Sequence, residues 1–262
     1  MSRVQVPSLT PVVERPRLLP GPFLVPRARG AARSIGRMTE DPGAARALLH
    51  TRRLVVLDFD GPVTRLLPGE EFLRVSAGAL DLAVALGLAP DDELTGQTDH
   101  VQLLRLLSRR DPAVAREVER WCTAQEVAAA RSARPVEAAA SFVARCRERG
   151  TAVAVVTNNA PEAVRAVLAH GGPLLADLAV HGRDPAAPER LKPAPDMLLA
   201  AARDAGVHPD EAVMVGDSTS DVEAATAAGM PCIGLSDSAE RRAELLAAGA
   251  VAVVADLTAL AG

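Results

Sequence analysis

Five short apolar runs punctuate the chain: Leu54–Leu57, Ala152–Val156, Ala212–Val215, Cys232–Leu235 and Val251–Val254. Runs this short without a charged residue predict strands buried on both faces of a sheet. Between them, 135–149, 161–169, 195–205, 219–228 and 238–247 carry apolar residues at helical spacing. Strands alternating with helices predict an α/β fold, a Rossmann-like parallel sheet covered on both faces. Sheets of this kind bind ligands beyond the carboxyl ends of their strands. Three of the runs end in polar residues: Asp58 after the first, Thr157-Asn158-Asn159 after the second, Gly216-Asp217 after the third. Those side chains are therefore expected to converge.

Two segments break the alternation. Residues 66–133 are rich in Ala, Leu, Arg and Glu, with apolar spacing near that of a helix and turn signals at 87–92 and Asp111-Pro112. They predict a small helical cap inserted into a core made of 38–65 and 134–262. Residues 1–37 are rich in Pro and Arg and show neither helical nor strand periodicity, which predicts a disordered tail. That tail lacks the apolar stretch of a secretory signal, and its prolines oppose the amphipathic helix of a transit peptide.

Composition narrows the function classes. Nearly half of the 262 residues are apolar, yet there is no tyrosine, one tryptophan and four phenylalanines. The core must therefore be built from Ala, Val and Leu. No run reaches the length a membrane span needs. Cys122, Cys146 and Cys232 are far apart and form no CxxC pair, so a reduced, cytoplasmic protein is expected, without disulfides or zinc. The net charge of −4 is uneven: residues 1–50 hold eight arginines against three acids. The rest is strongly acidic and a poor surface for nucleic acid. Of 29 basic residues only Lys192 is a lysine.

The candidate chemistry begins with Asp58 and Asp60. Two carboxylates so close at the end of a buried strand need a cation or a shared proton to offset their repulsion. If the strand continues, both point to one centre, and Gly61 lets the backbone turn sharply toward a ligand. Asp-x-Asp also opens calcium loops, but such a loop needs a bidentate Glu at its twelfth position. That position is Gly69, followed by Glu70. Thr157 supplies a hydroxyl and Asn158 an amide. Lys192 lies in Leu-Lys-Pro-Ala-Pro-Asp; among so many arginines, a lone lysine suggests a compact ammonium that a guanidinium cannot replace. Asp217 falls at a strand end and Asp221 about one helical turn later, so both can face one cavity. Capping of the next helix by Asp217 or Ser218 explains each singly. It does not explain why the strand-end acids and the lysine coincide.

Together these segments resemble the four motifs of the haloacid dehalogenase-like superfamily, in its phosphoglycolate phosphatase-like branch with an alpha-helical cap. Asp58-Phe59-Asp60-Gly61 resembles the first motif and Val155-Val156-Thr157-Asn158 the second. Lys192-Pro193-Ala194-Pro195 resembles the third, and Gly216 to Asp221, continuing to Met230, the fourth. The resemblance implies a Mg²⁺-dependent phosphatase for a small phosphorylated metabolite, acting as a monomer or homodimer. It makes Asp58 the nucleophile and Asp60 the general acid and base. Thr157, Asn158, Lys192 and Gly61 would be phosphate-binding, and Asp58, Asp60, Asp217 and Asp221 metal-binding. An acid two residues after the nucleophile favours phosphate esters over dehalogenation. A sugar phosphomutase and a non-catalytic binding protein are the alternatives on the same fold. Pro62 departs from the usual Thr or Val. In 94–99, the segment expected to set specificity, Gln97 stands where related caps often carry arginine; an inter-helix loop with Asp99 capping the next helix is the other reading.

Overall fold

The computed structural model describes residues 41–260, so the 1–37 tail expected from the sequence lies outside the described residues. Strand β1 (Leu54–Leu57) is central in a six-stranded parallel sheet. Beside it run β2 (Ala152–Val156) and β3 (Ala179–His181) on one side. On the other side are β4 (Ala212–Gly216), β5 (Cys232–Leu235) and β6 (Ala252–Val254). The edge strand β3 went unread in the sequence because three residues carry too short a pattern. Strand alternation sorts the side chains into two layers. Val55, Leu57, Val155, Val213, Val215 and Ile233 face one core with α1 (Pro42–His50), α6 (Glu137–Glu148), α7 (Pro161–His170) and the short α8 (Pro173–Ala176). Leu54, Val56, Ala154, Met214 and Cys232 face the other with α9 (Asp196–Asp204), α10 (Thr219–Ala228) and α11 (Ala239–Ala248). Small residues in these helices let them lie close to the sheet, which suits a core with few aromatics.

Between β1 and α6 the chain forms α2 (Glu70–Ala85), α3 (Asp92–Thr95), α4 (His100–Arg110) and α5 (Pro112–Ala130). These helices bury Ala79, Ala83, Leu94, Leu103, Leu107, Val118 and Cys122 in an apolar cluster of their own. Asp99 caps α4 by accepting from the Val101 N–H at 2.8 Å, as the loop reading required. Asp111 does the same for α5, with Pro112 at the first helical position. No described helix is long and apolar enough to cross a membrane.

Both connections to the helical insertion reach the first loop of the core. The Val136 N–H donates to the Val63 carbonyl at 2.8 Å, and the Thr64 hydroxyl donates to the Arg134 carbonyl at 2.9 Å. The insertion therefore leaves and returns beside β1.

Candidate active site

Asp58 keeps the sheet ladder for one residue past β1, its N–H donating to the Val215 carbonyl at 2.9 Å. The chain then turns instead of extending: the Gly61 N–H donates to the Thr64 carbonyl, and Val63 and Thr64 both donate to the Phe59 carbonyl. The expectation that Asp58 and Asp60 align by strand alternation is thus corrected. A turn carries Asp60 to the cleft, where its Oδ1 accepts from the Leu66 N–H at 3.2 Å. Gly61 has φ +113°, and a Cβ there would lie 2.0 Å from Asp217 Oδ2. Glycine serves this position for both backbone freedom and room.

Lys192 is buried between two carboxylates. Its Nζ donates to Asp58 Oδ1 and Asp221 Oδ1, each at 2.6 Å. Burial alone would lower the ammonium's pKa, but Asp221 and Asp58 outweigh it and raise it. Asp221 accepts through its other oxygen from the Ser218 N–H and hydroxyl, closing a capping box at the start of α10. Gly216 makes room for it, since a Cβ there would lie 2.3 Å from Asp221 Oδ2. Both Asp221 oxygens are therefore already hydrogen-bonded, one of them to Lys192.

Asp58, Asp217 and Asp221 bring carboxylate oxygens within 4.8 Å of one another. One ammonium stands against these three acids, so full ionisation leaves excess negative charge. The protons respond accordingly. Burial, then Asp221, raises the Asp58 carboxyl against the pull of Lys192. Burial, then Asp221, pushes Asp217 up to about 6, and burial raises Asp60. Asp217 makes no hydrogen bond or ion pair among the described residues, and Gly61 leaves space against it. Hard oxygen donors, uncompensated charge and an unpartnered carboxylate suit a divalent cation.

These groups open on a cleft of about 490 Å³, which Asp58, Asp60, Thr157, Asn158, Lys192 and Asp217 all line. Thr157 is buried, and its Oγ1 accepts from the Asn159 N–H at 3.1 Å. Asn158 departs from the expected phosphate contact. Its amide clamps the Lys192 backbone, accepting from the N–H at 2.8 Å and donating to the carbonyl at 3.1 Å. Gln97 is also corrected: it is not part of the cleft wall, and its Nε2 donates to the Glu93 carbonyl at 3.1 Å. Within 94–99 Asp99 lines the cleft, followed by His100 and Val101, with Phe72 from α2. Exposed Arg65 and Arg241 add positive charge at the rim.

Reasoning from sequence missed a buried charged cluster behind this wall. Arg183, in the loop after β3, donates from Nε to Glu119 and from Nη1 to Glu126, both at 2.8 Å. Glu126 also accepts from the His100 Nε2 at 2.9 Å and the Ala160 N–H at 2.7 Å. Burial would raise the Glu126 carboxyl, but Arg183 and His100 hold it down at about 2. Nothing in His-Gly-Arg-Asp marks Arg183 as special, because its partners lie on α5, 57 and 64 residues away. A larger groove of about 970 Å³ lies beyond Arg183, and none of the six acidic-site residues named above lines it.

Comparison with known proteins accords with this architecture. A phosphoglycolate phosphatase of Rhodospirillum rubrum is 32% identical over 224 residues, covering 79% of this chain and 89% of that protein. One from Pseudomonas putida is 36% identical over 121 residues, 44% of this chain and 41% of that protein, so the chain spans less than half the length of that relative. Among solved structures, CbbY from Rhodobacter sphaeroides in complex with phosphate is 23% identical. It superposes with a TM-score of 0.59 over 79% of this chain and 95% of that one. The profile described as haloacid dehalogenase-like hydrolase matches residues 52–229, the span that carries every acidic residue and the lysine of the cleft. With a match over most of its length and a relative aligned nearly end to end, the chain belongs to the haloacid dehalogenase-like hydrolase family.

Proposed function

We propose that this protein hydrolyses the phosphate monoester of a small metabolite through an aspartyl-phosphate on Asp58. The observation that carries the reading is the single buried ammonium of Lys192 set against Asp58 and Asp221, beside the unpartnered Asp217. The names of the Rhodospirillum and Pseudomonas relatives support a phosphatase and make phosphoglycolate one ester to test. The helical insertion acts as the cap over the cleft.

In this reading an Asp58 carboxylate oxygen attacks phosphorus as the bond from phosphorus to the ester oxygen breaks. Asp60 gives its proton to the departing alcohol; burial raises its carboxyl, which favours the protonated form this step needs. The Asp60 carboxylate then takes a proton from the water that attacks phosphorus. The aspartyl bond breaks, releasing inorganic phosphate and restoring both residues. Lys192 orients Asp58 and, with the Thr157 hydroxyl, faces the phosphoryl oxygens; Asn158 fixes the Lys192 backbone. Asp221 holds Lys192 from behind. Asp58, Asp217 and the Asp60 carbonyl would hold Mg²⁺, which would supply charge neutralisation for the phosphoryl group.

The test is hydrolysis of an aryl phosphate by the purified chain. Turnover should require Mg²⁺, stop with a chelator, and vanish in Asp58→Asn while the circular dichroism spectrum stays native. Turnover that survives chelation removes the metal from the reading, and activity retained in Asp58→Asn removes the nucleophile.

A further inference from the structure

His100 begins α4 and belongs to the cleft wall, yet it is 1% exposed. Its ring is fixed from two sides. Nε2 meets Glu126 Oε1 at 2.9 Å, and Phe72 packs edge-on with ring centroids 5.7 Å apart at 66°. Glu126 is in turn held by Arg183 and by the Ala160 N–H, both from the core. The imidazole is therefore immobilised by a chain of contacts that runs from the core, across α5, to the cleft.

The other ring nitrogen, Nδ1, is buried and has no hydrogen-bond partner. Among the described residues only Arg52 Nε shares that condition. A strut joining the helical insertion to the core needs Nε2 alone and gains nothing from leaving Nδ1 unsatisfied, which is costly in a buried place. The adjoining cleft also holds Asp58, Asp60 and Lys192. A molecule entering that cleft can supply what the protein does not.

We propose that His100 is a specificity-determining residue: with Nε2 donating to Glu126, its Nδ1 accepts a hydrogen bond from a hydroxyl on the alcohol portion of the substrate. Glu126 and Arg183 are its positioning residues. The inference rests on the phosphatase reading of the cleft for its reaction, though not for the contact itself.

The experiment compares glycerol phosphate, which carries free hydroxyls, with propyl phosphate, which offers no second oxygen. The wild type should favour glycerol phosphate in kcat/KM. In His100→Gln, whose amide can still reach Glu126 but leaves nothing at Nδ1, that preference should fall about tenfold, mainly through KM, the value of one hydrogen bond. In His100→Asn, whose amide takes the place of Nδ1, much of the preference should return. Both esters are measured on one preparation, so any loss of folded protein cancels from the ratio. A wild type indifferent to the second oxygen, or a His100→Gln variant with its preference intact, overturns the proposal. Should aryl phosphate turnover be absent, the phosphatase reading fails. The same esters, titrated calorimetrically against wild type and His100→Gln, then decide the contact on its own.

Discussion

Replacing Arg183 by Met keeps an apolar stem of similar reach and removes only the guanidinium. Its partners are Glu119, Glu126, Thr123 and the Asn158 carbonyl, and both glutamates are buried. Breaking one side of a buried ion pair costs about 3–5 kcal/mol, because the other charge stays behind without compensation. The shift of the Glu126 carboxyl gives a second figure of the same order. Glu126 falls from 4.5 to about 2 in the folded chain. At about 1.4 kcal/mol per unit, that is roughly 3 kcal/mol of stability. A carboxyl held below its unfolded value contributes that stability above pH 4.5 and loses it as pH falls through about 2. Without Arg183, burial dominates and the Glu126 carboxyl rises, so the variant binds a proton that the wild type does not. The deficit should therefore be greatest at pH 8 and narrow as pH falls toward 5. Urea denaturation at pH 8 should show a loss of about 3–5 kcal/mol, with a drop in melting temperature on the order of 10 °C. A loss below about 1 kcal/mol, the size expected of an exposed pair, would refute the reasoning, as would a deficit equal at pH 5 and pH 8.

Three further expectations follow from the cleft. Asp60→Asn should lower kcat/KM, which reports the step that expels the alcohol, about 10²-fold or more for alkyl phosphates, and much less for an aryl ester whose leaving group needs no proton; equal losses would deny Asp60 its role as acid. Gly61→Ala places a Cβ 2.0 Å from Asp217 Oδ2 in a backbone region that L-residues avoid. It should leave the circular dichroism spectrum native while the Mg²⁺ concentration for half-maximal activity rises about tenfold, the effect of some 1.4 kcal/mol. Asp217, pushed up to about 6 by burial, must lose its proton to bind a cation. Below pH 6 the apparent Mg²⁺ affinity should weaken about tenfold per pH unit, which calorimetric titration at pH 5 and pH 7 can check.

Much of this was legible in the chain itself, and for a physical reason. A strand buried on both faces must be uninterruptedly apolar, so β1, β2 and β4 announced themselves, and the polar residues just beyond them had to lie at one edge of the sheet. Lys192 stood out because it is the sole lysine among 29 basic residues, and its burial between Asp58 and Asp221 gives that choice its cause. The loop reading of 94–99 also held the cap at Asp99, and the turn signal at Asp111-Pro112 falls where Asp111 caps α5, because caps depend on neighbours two or three residues away.

What the sequence left open depended on contacts distant along the chain. Asn158 reads as a phosphate donor until the fold brings it to the Lys192 backbone, 34 residues on. Gln97 reads as part of the cleft until α3 turns its amide back to Glu93, leaving His100 in the wall instead. Arg183, Glu119 and Glu126 carry no pattern at all, since burying a charge is tolerable only once its counter-charges are in place. The sequence by itself determined a parallel sheet with acids and one lysine at its carboxyl edge, because apolar periodicity and residue chemistry are local properties. Only the tertiary structure decided which polar atoms are already satisfied and which are left for a ligand, because hydrogen-bond saturation is settled by neighbours that packing alone supplies.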